Sequence, residues 1–357
     1  SSFVGPSIIA AMLVIIPLLI TSESNHLGYY SKLIWLHAGL VLLAAFVLRG
    51  QRRFARSPIS LPLVVFLLAN TISIIQSVNR VSTLVTLSHR LALLTTFVLF
   101  ISTIDRKQIV RLVTTIGITS GVTSAIGIAQ YAGWFGLDFP SSGMPSSTFG
   151  YRNFAASFTI AAMPFVVLEV VRRSRFEARM AWSFLFFLNA TFLLATRSRS
   201  AWGSCALALL TAMIVLAFRL RQPCSFPVPD LKLSSWFVAA ATIFAVAFAT
   251  TVPHRMHGTG YDTHSVEKSS ISGAITSSFE PGADKNRFRM WHHTLEMIQS
   301  SPIGGVGLGN WQYAYPYFDR GDVSWKGSTP RRPHNDYLWI ASETGLIGFG
   351  IFLWLVV

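Results

Sequence analysis

The chain has 357 residues, of which 52% are hydrophobic and only 12% charged, and its mean hydropathy is +0.50; a soluble globular domain is charged at about a quarter of its positions. That composition excludes an ordinary soluble enzyme. Lys and Arg number 29 against 15 Asp and Glu, a net charge of +14, which in a soluble domain would suggest nucleic acid and here has to be read from where the cations lie.

Apolar runs predict ten membrane spans, near 5–21, 32–48, 59–76, 84–104, 109–131, 153–171, 179–196, 200–218, 235–252 and 336–356. The first has no basic stretch before Ile8 and no cleavage site after Ile20, so it reads as a retained span rather than a signal peptide. The chain opens Ser1-Ser2 without Met and closes at Val357 in or at the end of a span, so the natural protein is expected to be longer. The loops at 49–58, 105–111, 172–179 and 219–234 hold fourteen cations, among them Arg49, Arg52, Arg106, Arg172, Arg173 and Arg219. The short loops between them hold only Lys32, Arg80, Arg152, Arg197 and Arg199. By the positive-inside rule both ends face the cytoplasm, and the long loop at 253–335 lies outside. Most of the charge is therefore topology, and no nucleic-acid partner is expected. Cys205 falls in a span and Cys224 in a cytoplasmic loop, with neither disulfide nor metal-site spacing. The stretches at 140–150 and 269–282 read as loops.

Three outer clusters carry more arginine than orientation favours: Arg152 at the start of the sixth span, Arg197 with Arg199 between the seventh and eighth, and Arg287, Arg289, Arg331 and Arg332 in the long loop. A single arginine there can snorkel to headgroups. Several converging at a membrane surface suit a lipid diphosphate, because the planar guanidinium makes paired, charge-assisted bonds to phosphate oxygens. In Thr196-Arg197-Ser198-Arg199-Ser200, residues two apart on a helix point about 200° apart, so both arginines meet one ligand only in an extended turn. Arg199 is favoured.

Asn286–Ser300 is predicted helical, with Phe288, Trp291, Leu295 and Ile298 on one face that could lie on the bilayer. Gly304-Gly305-Val306-Gly307-Leu308-Gly309 has neither a preceding strand nor a following Lys-Ser/Thr, so it reads as a turn-rich connector rather than a phosphate loop. Trp311, Tyr313, Tyr315, Tyr317 and Phe318 read as an interfacial belt. His254, His257, His264, His292 and His293, with Glu296 and Asp284 nearby, match no structural zinc spacing; no metal is expected. Pro333-His334-Asn335-Asp336 opens the last span, and His334 can take a proton near neutral pH without a shifted pKa. Glu343 lies seven residues past Asp336 on the same helical face, roughly 10 Å deeper, so it should face a cavity or a partner. Gly345 and Gly348 offer a small surface for packing.

His334-Asn335, nine residues, then Gly345-x-x-Gly348, with Tyr337-Leu338 and Glu343 in the interval, resembles the signature of the bacterial O-antigen ligase and polymerase superfamily. Ser198-Arg199-Ser200-Ala201-Trp202 resembles its Ser-Arg turn, and Gly150-Tyr151-Arg152-Asn153 its Gly-x-x-Asn opening of an earlier span. Arg289-x-Trp291 through Ser301-Pro302-x-Gly304-x-Gly-x-Gly309 resembles its outer-loop pattern. The resemblance covers about residues 140–350, and members commonly have about twelve spans.

It implies an all-α, polytopic glycosyltransferase of the GT-C type in the bacterial inner membrane, acting at the periplasmic face without metal, cofactor or nucleotide sugar. N-terminal helices would occupy 1–135 and the catalytic region 136–357, including the 253–335 loop. The donor would be undecaprenyl-diphosphate-linked glycan and the acceptor lipid A-core or another hydroxyl; polymerases and protein O-oligosaccharyltransferases of the superfamily share the motifs. His334 would be the base and Arg199 catalytic, with Arg152, Arg197, Arg287, Arg289, Asn335 and Glu343 binding substrate. From another class, a transporter of sugars or small anions remains, although its polar residues would be expected at mid-membrane.

Overall fold

The computed structural model describes residues 4–20, 29–50, 57–136, 144–220, 231–252, 285–323 and 329–357. Helices fall at every predicted span: α1 Val4–Leu18, α2 Tyr29–Arg49, α3 Ser60–Ile72 with a 3-10 turn Ser73–Gln76, α4 Arg80–Thr103, α5 Arg106–Ala132, α6 Arg152–Arg172, α7 Phe176–Ala195, α8 Arg199–Leu220 and α9 Leu231–Thr251. Helix α10, Lys285–Ser300, two single turns (Trp311–Ala314 and Pro316–Asp319) and α11, Asp336–Val356, complete the described chain. There is no strand among the described residues. Seven helices are long and apolar enough to cross a membrane, while Val4–Leu18 and Ser60–Gln76 are shorter apolar helices. This is the composition of a multi-pass membrane protein, with fewer qualifying spans among the described residues than the ten expected.

The chain divides into two compact units: Ser1–Leu42 with Ile104–Glu280, and Leu43–Thr103 with Pro281–Val357. Helices α3 and α4 belong with the C-terminal residues because their polar sides are completed by the 301–310 connector, described below.

In the first unit α5 is the long central helix. Asp105 and Gln108 form a capping box at its start, and Gly133 ends it in the left-handed region at φ +68°. A side chain at Gly117 would collide with Trp182, and one at Gly127 with Phe192, so small residues let α5 lie close against α7. Val166 and Val170 of α6, Trp182 and Phe186 of α7, and Ala241 and Ala245 of α9 share one apolar core. Glu169 is fully buried; it accepts from Arg172 at 2.7 Å, from Arg173 at 2.6 Å and from Thr114 at 3.1 Å, so its charge is paired where α6 ends.

In the second unit α3 and α10 pack on α11, with Phe66 against Phe352 at 6.0 Å between ring centroids. Helix α11 is not continuous: Gly345 has φ +68° and ψ −177°. This break escapes hydropathy, because a run of apolar residues interrupted by glycine reads as one span.

Candidate active site

Helix α10 forms where the sequence places it, but it turns a different face inward. Met290, His293, Thr294 and Met297 are buried, while Phe288 and Leu295 are exposed. The helix covers its own unit: Met290 and Met297 join Trp311, Ala314 and Tyr315 in one core. The rings of Trp311 and Tyr315 stack at 4.3 Å, both fully buried, so these two form no interfacial belt; Tyr313 and Tyr317 alone of the four Trp and Tyr residues are exposed.

One turn of α10 reaches the mouth of α11. Trp291 Nε1–H donates to the carbonyl of Pro333 at 2.8 Å. The next residue, His334, sits at φ +54°, a left-handed conformation that costs a bulky residue on the order of 1–3 kcal/mol and persists only where its surroundings impose it. Asn335 then caps α11, its side-chain oxygen accepting from the N–H of Tyr337 at 3.1 Å and of Leu338 at 3.3 Å. Asn335 Oδ1 thus serves as the cap of this helix. His334 is exposed. Partial burial, and then the charges of Arg287 and Arg332, hold its imidazole below the usual histidine pKa. Arg287 lies one turn before Trp291 on α10, and Arg332 lies over the ring of Trp339 at 5.1 Å. Arg289 is exposed on α10.

His293 is buried with Glu296 3.7 Å from Nδ1 and Asp322 3.2 Å from Nε2. Among the described residues no group of three or more His, Cys, Asp or Glu is placed to hold a metal. His254, His257, His264 and Asp284 lie outside the described residues.

Beside α11 lies the glycine-rich connector. Gly305, Gly307 and Gly309 take φ of +70°, +96° and +72°, open only to residues without a Cβ penalty. The N–H of Val306 donates to Ser342 O at 2.9 Å, that of Gly307 to Glu343 O at 3.0 Å, and that of Leu346 to Pro302 O at 2.8 Å. The connector thus pairs with the polar backbone that the break at Gly345 releases, as a break within a span requires. A Cβ at Gly345 would overlap the carbonyl of Ile303, so this glycine serves backbone contact more than helix packing. Glu343 is buried, with Oε2 accepting from Gly309 N–H at 2.8 Å and Oε1 from Trp311 N–H at 3.0 Å. In this arrangement the carboxylate holds the connector.

Sequence reading missed the opposite wall. Asn310 is fully buried; it accepts from the N–H of Asn79 at 2.6 Å and donates to Thr83 Oγ1 at 2.8 Å. Thr83 and Ser82 donate to the carbonyls of Leu308 and Gly309, each at 2.8 Å, and Ser73 accepts from Leu308 N–H at 3.1 Å. The recurrence of Ser and Thr through residues 73–86 was the available signal.

In the first unit, Arg152 is the first residue of α6 and is half-buried. The turn between α7 and α8 is not extended. Arg197 has φ +49° and is buried against Tyr131, its guanidinium 5.9 Å from the ring and 3.3 Å from the hydroxyl. Arg199 begins α8 and is exposed. The two are therefore set differently, Arg197 into the helices and Arg199 outward. The Thr196 hydroxyl turns back on the backbone, donating to Leu193 O at 2.7 Å, while those of Ser198 and Ser200 lie 3.4 Å apart.

The comparison with curated proteins found no match. Residues 184–353 match the family model Wzy_C, described as O-antigen ligase. That stretch takes in Arg197, Arg199, Arg287, Arg289, His334, Asn335 and Glu343, but not Arg152. The match supports a glycosyltransferase-like membrane enzyme with a function in lipid-linked glycan transfer. Over residues 184–353, a little under half of its length, the chain is thus similar to the O-antigen ligase family, which supports the resemblance to the O-antigen ligase and polymerase superfamily.

Proposed function

We propose that the protein transfers a glycan from undecaprenyl diphosphate to an acceptor hydroxyl, with inversion at the anomeric carbon, at the periplasmic face of the bacterial inner membrane. The observation that carries this reading is His334: an imidazole held in a strained turn at the mouth of α11, with partial burial and then the charges of Arg287 and Arg332 favouring its neutral form. A neutral imidazole near physiological pH is what a general base requires.

In this reading the acceptor oxygen bonds to the anomeric carbon and its proton passes to His334. The bond from that carbon to the diphosphate oxygen breaks, and the lipid diphosphate leaves with the electron pair. Arg199 and Arg152, with Arg287 or Arg289, bind the diphosphate and stabilise its growing charge through fixed, planar donors. This is work that a divalent metal does in other transferases, and the proposal assigns it to guanidinium groups of the protein. The activated diphosphate supplies the driving force. Lipid A-core as acceptor would make the protein a ligase; a second repeat unit would make it a polymerase, and a protein hydroxyl an O-oligosaccharyltransferase.

The experiment is His334→Ala in a single-turnover assay on purified protein, with donor binding measured on the same sample. Transfer should slow by about 10²–10⁴-fold while donor binding holds. Binding with parental turnover would exclude His334 as the base. Identifying the product formed with each candidate acceptor distinguishes the three activities.

A further inference from the structure

We infer that Trp291 is a positioning residue for His334, acting through the single hydrogen bond from its indole N–H to the carbonyl of Pro333. The inference rests on the reading of His334 as general base.

Three observations converge on it. First, Trp291 Nε1 and Pro333 O are 2.8 Å apart and 42 residues apart in sequence, so this bond ties α10 to the segment leading into α11. Second, the carbonyl it holds belongs to the peptide unit that joins Pro333 to His334. Fixing that plane fixes the start of a residue whose φ of +54° a free chain would leave for the β or right-handed region. The other side of His334 is fixed by the Asn335 cap, so the imidazole is carried between two anchored peptides. Third, the same helix brings Arg287 to bear on His334. Arg287 and Trp291 are four apart and so lie on one helical face, and the bond therefore holds the histidine in register with that charge. The indole is braced in turn by Phe288, edge to face at 5.3 Å.

A residue that merely packs would act through its ring. The indole N–H acts through direction, and the two are separable. Trp291→Phe keeps an aromatic ring and removes the donor. Replacement of Trp291 by benzothienylalanine keeps nearly the whole indole shape and also removes it, which guards against a loss of folding in the phenylalanine variant. Each is compared with the parent in nanodiscs by single-turnover transfer across pH, by donor binding, and by the NMR titration of His334. That titration is read in the donor-free protein and identified by the signal lost in His334→Ala.

Transfer should fall about tenfold with donor affinity within about twofold, since one directional bond is lost and the diphosphate donors remain. The His334 titration should move upward, toward the ordinary histidine value, as the ring leaves the field of Arg287; Arg332 and Asp336 are its other charged neighbours along the chain. Parental transfer together with an unmoved titration in the benzothienylalanine protein would overturn the inference. Failure of the base assignment shows separately: His334→Ala would then transfer at the parental rate, whatever Trp291 does to the titration.

Discussion

Glu343 Oε2 and the N–H of Gly309 lie 2.8 Å apart, and the other oxygen of the same carboxylate takes the N–H of Trp311, so one acidic side chain in the last helix fixes the turn where the connector becomes the aromatic segment. Glu343→Ala leaves two amides without acceptors, that of Trp311 buried and that of Gly309 partly buried, at a cost of about 1–3 kcal/mol for a buried one and less for the other. The apparent melting temperature in detergent should drop clearly, by the equivalent of roughly 2–4 kcal/mol. Glu343→Gln, which keeps one acceptor and turns an NH₂ toward the other amide, should fall between. A parental melting curve for Glu343→Ala would show that the carboxylate does not hold the connector.

Gly345 and Gly350 are a matched pair in one helix. An alanine at Gly345 meets both a left-handed backbone and the Ile303 carbonyl, whereas Gly350 has nothing within 4 Å. Gly345→Ala should cost on the order of 1–3 kcal/mol or more, and Gly350→Ala should be neutral or slightly stabilising from helix propensity. Thermal unfolding of the two proteins side by side checks this; equal curves would mean that the break at Gly345 is not required.

Because partial burial, and then Arg287 and Arg332, lower the pKa of His334, a base that must be neutral stays active to lower pH than an ordinary histidine would. Removing a cation raises that pKa, so protonation sets in earlier as pH falls. Arg287→Gln should therefore move the acid limb of the pH–rate profile upward, with Arg332→Gln acting in the same direction. An acid limb that stays in place in the double variant would separate the limb from His334.

Arg199 begins α8 with its side chain exposed, and the proposed role calls for two parallel donors. Arg199→Lys keeps the charge and loses the fork. Donor affinity and transfer should both weaken, Arg199→Ala more than Arg199→Lys. Full transfer by both variants would take Arg199 out of the donor site.

The helices were legible because a span needs only length and apolarity, and each was found within a few residues. Glu343 shows where that legibility ended. Its depth announced a partner, but a carboxylate satisfied by backbone amides leaves no mark in the partner's side chains, so Gly309 and Trp311 could not be named from sequence. Trp311 and Tyr315 misled in the same way: an aromatic cluster next to a span has the composition of a lipid belt, and only tertiary packing shows that two of its rings are interior. Asn310 and Thr83 were invisible as a pair, since hydroxyls within helices ordinarily bond their own preceding turn. Arg197 and Arg199 differ in burial because the turn gives Arg197 a φ of +49° while Arg199 opens the next helix, a backbone detail that spacing alone does not reveal.

The seating of the connector also bears on how the chain is made. Asn79 and Asn310 are joined across 231 residues, and Thr83 and Leu308 across 225. Helices α3 and α4 enter the bilayer long before their partners exist, and the groups they will present to the connector must meanwhile be satisfied within their own turns. Thr83 and Thr86 have that interim bond, to the carbonyls of Asn79 and Ser82. These contacts of the second unit can therefore form only after the described helices of the first have been synthesised, and each closes a loop of more than two hundred residues.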